Sequence, residues 1–191
     1  MNIGIDLDGV IQDTEAYFKT YGELFDIETY NTGISNPNGF RNQDRYAWGP
    51  EHIEEFMTKY GYNIEADAPL MPAVRDVMVK LKEMGHNLIL ITARGSISPL
   101  EQDIAMARLE KEKLPLDEIV LGAIKKLPVC LEKKIDYMID DSPQNVRAIS
   151  DGGIPCLYLR SAYCEDIQKD NVYTVYNWGE ILRFFSEKKA K

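Results

Sequence analysis

The sequence predicts an α/β fold with a doubly wound, mainly parallel sheet and a small inserted helical cap. Three observations support this prediction. Short apolar runs such as LILIT, residues 88–92, lack strict alternation of apolar and polar residues, as is typical of strands covered by helices on both faces. Segments with helical periodicity separate these runs along the chain. A long stretch of different composition follows the first run, which indicates an insertion.

Predicted helices and strands alternate through most of the chain. The segment from Pro72 to Gly85 has apolar residues at helical spacing, a proline near its start and a glycine at its end, which are signals of helix termini. Further helices are predicted at about Glu101 to Glu112, Lys126 to Lys133, Pro143 to Ser150 and Trp178 to Ser186. The predicted strands are Ile3 to Leu7, Leu88 to Thr92, Ile119 to Leu121, Tyr137 to Ile139, Cys156 to Leu159 and Val172 to Val175.

The insertion interrupts this alternation directly after the first strand. It is rich in aromatic residues, glycine, asparagine and proline, and it has helical patterns from Thr14 to Phe25 and from Glu51 to Gly61. We therefore predict a core domain of residues 1–13 and 71–191 and a helical cap of residues 14–70.

The charge balance restricts the class of partner. The chain has 31 acidic and 22 basic residues and a net charge of -9, which repels a nucleic-acid polymer. A small anionic ligand is still compatible with this charge, because a bound divalent cation or a few N–H groups can reverse the local potential. The sequence leaves the number of chains in the assembly open, including a homodimer.

The cysteines and the apolar runs indicate a cytoplasmic protein with no membrane partner. The three cysteines are odd in number and lack a C-x-x-C spacing, so they are expected to be reduced thiols. The first residues lack a basic signal region, and no apolar run reaches the roughly 18 residues of a membrane span.

Two carboxylates stand at the end of the first predicted strand. Asp6 and Asp8 are two residues apart, so both are expected on one face, at the sheet edge where open parallel sheets bind ligands. Two like charges at close range are unfavourable unless a cation lies beside them. Mg²⁺ is the expected cation, because it takes oxygen ligands and retains several waters.

Other polar residues are expected at the same edge. Asp140 and Asp141 follow another apolar strand, and Thr92 ends the strand LILIT. The sequence IKK supplies an ammonium group at Lys125 or Lys126. Together these groups predict a site for phosphoryl transfer, with a nucleophile, a proton donor, a cation and groups that bind phosphoryl oxygens.

This set of residues resembles the four motifs of the haloacid dehalogenase (HAD) superfamily of phosphohydrolases, and the resemblance covers essentially the whole chain. The first motif, D-x-D-G-V, is Asp6 to Val10, and the second is Thr92 at a strand end. The third, a lysine, best matches Lys126, and the fourth is the pair Asp140 and Asp141 followed by Asn145. The order and placement of all four carry the resemblance, since D-x-D-G alone also occurs in calcium loops.

The resemblance implies a role for each motif residue. Asp6 would be the nucleophile that forms an aspartyl-phosphate, and Asp8 would be the general acid and base. Lys126 would neutralise charge on Asp6 and the phosphate. Dehalogenases of the superfamily lack a carboxylate at the position of Asp8, so the resemblance favours a phosphatase.

Further residues would bind the metal and the phosphoryl group. Asp6, the backbone carbonyl of Asp8 and Asp141 would hold Mg²⁺, with Asp140 and Asn145 behind them. Thr92 and the amides of Ala93 and Arg94 would bind the phosphoryl group, although a surface position for the Arg94 side chain is an alternative. Lys125 and the later pair Lys133 and Lys134 remain alternatives to Lys126.

The cap suggests the substrate. The motifs together with a short helical cap are most similar to the 5′(3′)-deoxyribonucleotidase group and its bacterial relatives, which implies a nucleoside monophosphate. Cap aromatic residues would stack on a base, with Phe40 as the preferred contact; the alternative is that they form the cap's own core. The aromatic candidates are Phe18, Phe40, Tyr46 and Trp48.

The sequence alone also allows other interpretations of the substrate, of the function and of single residues. A sugar phosphate is the alternative substrate, and a non-catalytic phosphate-binding regulator is an alternative that the intact motif set disfavours. Arg41 and Arg45 are expected in solvent, with anionic or carbonyl groups as alternative partners. His52 and His86 are expected to be structural, since a metal site would need further His or Cys ligands nearby.

Overall fold

The computed structural model describes residues 1–96, 99–162 and 164–189. Its centre is a six-stranded sheet with the order β3-β2-β1-β4-β5-β6. Every strand pair is parallel, so the expectation of a mainly parallel sheet is confirmed. The strands are β1 (Asn2–Ile5), β2 (Asn87–Ile91), β3 (Glu118–Val120), β4 (Tyr137–Asp140), β5 (Cys156–Leu159) and β6 (Val172–Val175).

Helices cover both faces of the sheet. Alternate residues along the strands belong to two separate apolar clusters: Leu88 and Leu90 lie in the first, whereas Ile89 and Ile91 lie in the second. This division follows from the alternation of side chains along a strand. The core helices are α5 (Val74–Glu83), α6 (Pro99–Glu112), α7 (Lys126–Glu132), α8 (Pro143–Asp151) and α9 (Trp178–Lys189).

The strand order places a switch point beside β1. From β1 the chain proceeds to β2 and β3 on one side, and then returns to β4, which pairs with β1 on the other side. In open parallel sheets, ligands bind at the carboxyl ends of the strands at such a point. Ile5 is in register with both Leu90 and Ile139, so the residues that follow β1, β2 and β4 lie at one edge.

Residues 14–70, which we call the cap, are also largely helical. They contain the helices α1 (Thr14–Thr29), α2 (Asn42–Arg45), α3 (Pro50–Phe56) and α4 (Tyr62–Asp67), with a π-helical segment, Met57–Gly61, between α3 and α4. A cluster of buried aromatic and aliphatic side chains holds them together; its buried members are Phe25, Tyr46, Trp48, Phe56 and Ile64.

Two short segments connect the cap to the sheet, and they lie side by side. Gln12 and Leu70 form an antiparallel bridge. The Asp13 amide donates to the Pro69 carbonyl at 2.9 Å, and the Met71 amide donates to the Ile11 carbonyl at 2.8 Å. The chain therefore leaves and re-enters the core through a narrow hydrogen-bonded ribbon.

Some element ends differ from the sequence expectation. Helix α5 begins at Val74, two residues after Pro72, because Ala73 adopts the left-handed conformation with φ of 62°. Gly85 has φ of 84°, which is the conformation expected of a glycine that ends a helix. Strand β1 ends at Ile5, so Asp6 stands directly after the strand. None of the helices in the described ranges combines the length and apolar composition of a transmembrane span.

Candidate active site

Lys126 links two carboxylates at the carboxyl edge of the sheet. Its Nζ lies 2.7 Å from Asp6 Oδ2 and 2.7 Å from Asp140 Oδ2. Asp6 follows β1, Asp140 ends β4 and Lys126 is the first residue of α7. The Lys126 side chain is 3% exposed, so this ion-pair cluster is buried. Of the four candidate lysines, Lys126 is therefore the one that contacts the acidic residues of this edge.

The other candidate lysines point elsewhere. Lys125 precedes α7 and is exposed. Lys133 follows the far end of the same helix and pairs with Glu118. Lys134 is exposed, with φ of 50°.

Asp140 is held by several donors, whereas Asp141 faces the cavity. Asp140 Oδ1 accepts hydrogen bonds from the Ser142 amide at 2.9 Å and from Asn145 Nδ2 at 3.2 Å. Asp6, Asp140 and Asp141 each offer a carboxylate oxygen within 4.8 Å of the others. Because Asp140 already accepts from Lys126, Ser142 and Asn145, Asp141 is the member better able to bind a cation.

Gly9 is required by the close approach of Asp141. Gly9 has φ of +69°, and a Cβ at this position would lie 1.9 Å from Asp141 Oδ2. A side chain at residue 9 would be strained by the backbone and would displace the carboxylate. This contact explains why a glycine follows the two aspartates in the sequence.

The buried carboxylates carry more negative charge than the single nearby ammonium of Lys126 can neutralise. Burial raises the pKa of Asp6 to about 7, with Lys126 lowering it and Asp140 and Asp8 raising it further. Burial, together with Asp6 and Asp140, raises the pKa of Asp141 well above its usual range. Although burial alone lowers the pKa of Lys126, Asp140 and Asp6 raise it above its usual value, so the ammonium stays charged.

The donor set therefore fits a divalent cation. Three close carboxylates and one ammonium leave an excess of two negative charges when all are ionised. Hard cations such as Mg²⁺ take carboxylate and carbonyl oxygens. Asp6, Asp141 and the backbone carbonyl of Asp8 are the groups that would hold the ion. When bound, the ion would neutralise charge on the carboxylates and on a phosphoryl group.

Asp141→Asn is expected to stabilise the protein when metal is removed and to weaken metal binding. The raised pKa of Asp141 means that ionisation in the folded state is unfavourable. The resulting loss of stability is absent below the ordinary carboxyl pKa and grows as pH rises toward the folded pKa. In chelator at pH 7.5, we expect the variant to melt a few degrees above the wild type, since 1 kcal/mol corresponds to about 2–4 °C at this size.

Thermal melts with chelator and with Mg²⁺ at several pH values measure this. Mg²⁺ should raise the melting temperature of the wild type more than that of the variant, because a ligand stabilises only the state that binds it. The advantage of the variant in chelator should shrink as pH is lowered toward 4. A wild type that melts at the same temperature in Mg²⁺ and in chelator would contradict the assigned metal site.

Thr92 and Ala93 line the same open cavity as the acidic residues Asp6 and Asp141. Thr92 follows β2 and is 1% exposed, and both residues line the cavity described below. The Arg94 amide donates to Thr92 Oγ1 at 3.2 Å, so the Thr92 hydroxyl hydrogen remains available for another acceptor. The Arg94 amide is thus engaged within the loop in this conformation.

The Arg94 side chain is buried against Asp8 and does not lie on the surface. Its Nε lies 3.0 Å from Asp8 Oδ2 and its Nη2 lies 2.5 Å from Asp8 Oδ1. Its Nη1 donates to the Glu65 backbone carbonyl at 3.1 Å. These contacts were not predictable from the sequence, because they join residues 86 and 29 positions apart.

A cavity of about 530 Å³ opens between the cap and the core above this edge. Asp6, Asp8 and Asp141 line its floor. Phe40, in a cap loop, packs against the second apolar cluster of the core and lines the cavity wall, and Phe18 lines it from α1. The cavity is therefore acidic at its base and apolar along part of its wall. Further lining residues are Arg41, Gln43, Ile53, Phe56, Met57, Ile124 and Gln144.

Two of the four aromatic candidates, Tyr46 and Trp48, are buried in the cap's own core, and Phe18 packs against that core while also lining the cavity. The rings of Tyr46 and Trp48 stack at 4.5 Å with an angle of 12°, and both residues are buried. Tyr46 donates to Glu23 at 2.8 Å, and Trp48 donates to Asp26 at 3.2 Å. For these two residues the alternative interpretation, a structural role in the cap, is correct.

The structure also shows the positions of the other arginine and histidine residues that were considered as site candidates. Arg45, expected in solvent, is 9% exposed and donates to the Pro37 carbonyl at 3.0 Å. Arg41 is exposed at the cavity and lies 3.5 Å from Gln144. His52 accepts from the Gly49 amide at the start of α3. His86 is buried with its ring 5.5 Å from that of Phe185.

The chain has the fold of the HAD superfamily of hydrolases, as predicted. The haloacid dehalogenase-like hydrolase SP0104 of Streptococcus pneumoniae matches with a TM-score of 0.70 and 15% identity, over 96% of this chain and 97% of that one. CbbY of Rhodobacter sphaeroides, solved in complex with xylulose-(1,5)-bisphosphate, matches with a TM-score of 0.59 and 15% identity, over 94% and 95%.

A curated relative is similar along its whole length. It is named putative nucleotidase OB0422, from Oceanobacillus iheyensis, and is 22% identical over 196 residues that cover 96% of this chain and 98% of the relative. No protein-family model matches the chain.

Proposed function

We propose that the protein is a phosphatase that hydrolyses a small phosphomonoester through an aspartyl-phosphate on Asp6, with Mg²⁺ as its cofactor. One observation carries this proposal. Three residues that are far apart in the chain meet at one buried edge of the sheet, beneath a cavity; they are Asp6, Lys126 and Asp141. This arrangement supplies a nucleophile, a fixed cation and a site for a divalent ion, which are the parts that phosphoryl transfer requires.

Asp6 is the proposed nucleophile. Its Oδ1 accepts from the Leu7 amide at 2.8 Å and its Oδ2 pairs with Lys126, so the carboxylate is fixed in orientation. Attack by an Asp6 oxygen forms a phosphorus–oxygen bond as the bond to the ester oxygen breaks. Fixing the nucleophile in this way lowers the entropic part of the barrier.

Asp8 is the proposed general acid and base. It lines the cavity beside Asp6 and would give a proton to the departing ester oxygen. Water then attacks the aspartyl-phosphate and gives a proton to Asp8, which releases inorganic phosphate and restores Asp6. Thr92, with the amide of Ala93, and Lys126 would bind the phosphoryl oxygens, and Asp140 and Asn145 would hold Lys126 in place.

We propose a nucleoside monophosphate as the substrate. Cavities of about 300–1,000 Å³ hold ligands of this class, and the cavity here is about 530 Å³. Phe40 and Phe18 offer aromatic surface above the acidic floor, which suits a base. The similarity to a protein named as a nucleotidase supports this choice. The three cysteines, free and buried, suit the reducing cytoplasm, where we place the reaction.

A sugar phosphate is the competing substrate, because CbbY, which shares the fold, was solved with a sugar bisphosphate. Phosphate release from a panel of nucleoside monophosphates, sugar phosphates and an aryl phosphate distinguishes the two, with Mg²⁺ and with chelator. We expect release that needs Mg²⁺ and is fastest with a nucleoside monophosphate. If phosphate release is fastest with a sugar phosphate, the proposed nucleotide substrate is refuted. If no compound releases phosphate, the proposed phosphatase activity is refuted.

Phe40→Ala tests the base contact within the same panel. Stacking on an aromatic ring is worth about 1–3 kcal/mol per base, so kcat/KM for a nucleoside monophosphate should fall roughly 5- to 150-fold. A sugar phosphate has no base and should be affected much less. Tyr46→Phe is the matched control, because Tyr46 lies in the cap core and the change removes only its hydroxyl, which donates to Glu23.

A further inference from the structure

The guanidinium of Arg94 joins three segments of the chain at the active site. It is 3% exposed, follows β2, forks onto both oxygens of Asp8 and donates its remaining terminal nitrogen to the Glu65 carbonyl. Glu65 belongs to α4 of the cap. The core loop, the carboxylate and the cap are thus connected through one buried side chain.

We propose that Arg94 is a positioning residue that holds the Asp8 carboxylate in its working orientation and is itself anchored by the cap. This inference rests on the proposed function, since it concerns the general acid and base of that reaction. The guanidinium is engaged by Asp8 and the Glu65 carbonyl, so its proposed effect on the reaction is exerted through Asp8.

Asp8 needs such a support because of where it stands. It lies beyond the end of β1 and before Gly9, which has a positive φ, so the sheet does not fix its side chain. Its side chain is 37% exposed. Two parallel N–H···O contacts from a planar guanidinium fix both the position and the plane of a carboxylate, which a lysine cannot do.

The cap anchor is favourable for a cation. The Glu65 carbonyl lies near the C-terminal end of α4, where helix carbonyls carry partial negative charge. Arg108, on α6, makes a comparable contact, donating to the Ala68 carbonyl at 3.0 Å just after the same helix. Arg108 pairs with Glu112 and makes no contact with Asp8 in the described structure, so it provides a matched control.

Steady-state kinetics with the best substrate of the panel test the proposal. The variants are Arg94→Met, Arg94→Lys, Asp8→Ala, the double variant Asp8→Ala/Arg94→Met and Arg108→Met. General acid–base catalysis contributes about 10²- to 10⁴-fold, and a misplaced Asp8 should lose much of this. We expect Arg94→Met to lower kcat roughly 30-fold or more, with KM within about threefold of the wild type. Arg94→Lys should fall between, because it restores the charge without the fork.

The double variant separates positioning from a general structural role. If Arg94 acts through Asp8, Asp8→Ala/Arg94→Met should be no slower than Asp8→Ala alone, within about threefold. Arg108→Met should keep the wild-type kcat. Any one of three results would overturn the proposal. They are additive losses of kcat in the double variant, equal losses of kcat in Arg94→Met and Arg108→Met, and a wild-type kcat in Arg94→Lys.

Failure of this inference is distinguishable from failure of the proposed function. An inactive wild type would remove the phosphatase assignment itself. If the wild type is active, Asp8→Ala has a low kcat and Arg94→Met has a kcat near that of the wild type, only the proposed role of Arg94 is refuted.

Discussion

Asp6→Asn is expected to abolish phosphate release, with a loss in kcat of roughly 10⁴-fold or more. An amide retains the shape of the side chain but is a far weaker nucleophile than a carboxylate, and it removes one negative charge from the proposed metal site. The structure supports folding of this variant, because Asp6 is an acid whose burial is unfavourable, with a pKa raised to about 7. Phosphate release from an aryl phosphate with Mg²⁺ measures the effect.

Asp136→Asn provides the matched control for this experiment. Asp136 accepts from the Asn2 amide at 2.7 Å, at the opposite end of β1 and β4 from the acidic cluster. The same change there should leave kcat within about twofold of the wild type, as surface substitutions away from special features usually do. An Asp6→Asn variant that retains wild-type kcat would exclude the aspartyl-phosphate mechanism.

Lys126→Met is expected to lower kcat roughly 10²- to 10³-fold, which is the usual effect of removing one fixed group that stabilises transition-state charge. Methionine has a similar length, so the change removes chiefly the ammonium that bridges Asp6 and Asp140. The remaining buried carboxylates would also lose their cation, a loss that typically costs about 3–5 kcal/mol of stability. Kinetics and thermal melts in Mg²⁺ measure the two effects.

Lys133→Met tests whether the effect belongs to this particular lysine. Lys133 stands at the other end of α7, partly exposed, where it pairs with Glu118. Its replacement should leave kcat near the wild-type value, because it is remote from the acidic cluster. Equal losses in the two variants would show that helix α7, and not the Lys126 ammonium, is what the reaction needs.

The sheet was predictable because its signals are local. Each strand is a short apolar run, and Gly85 marks the end of α5 through its positive φ. The sequence did not predict the start of α5, because the left-handed conformation of Ala73 has no signal in its residue type. The π-helical segment Met57–Gly61 was also not predicted, since its pattern reads as an ordinary helix.

The site was predictable where charged residues lie at the carboxyl edge of the parallel sheet. Asp6, Asp140 and Lys126 meet as expected, because parallel strands bring their carboxyl ends together. The contacts of Arg94 were not predictable, since they join residues far apart in the sequence, and the contact with the Glu65 carbonyl crosses from the core to the cap. The division of the cap aromatics between wall and interior likewise depends on packing: Trp48 is buried while Phe40 faces the cavity.

The hydrogen-bonded ribbon of Gln12 and Leu70 has a consequence for how such proteins diversify. Because the chain departs and returns at neighbouring points, the intervening segment can lengthen, shorten or be exchanged without altering the order of the strands. Selection can then reshape what the proposed enzyme recognises while the proposed catalytic groups at the sheet edge are inherited unchanged. We therefore expect close variants of this chain to differ most between residues 14 and 70.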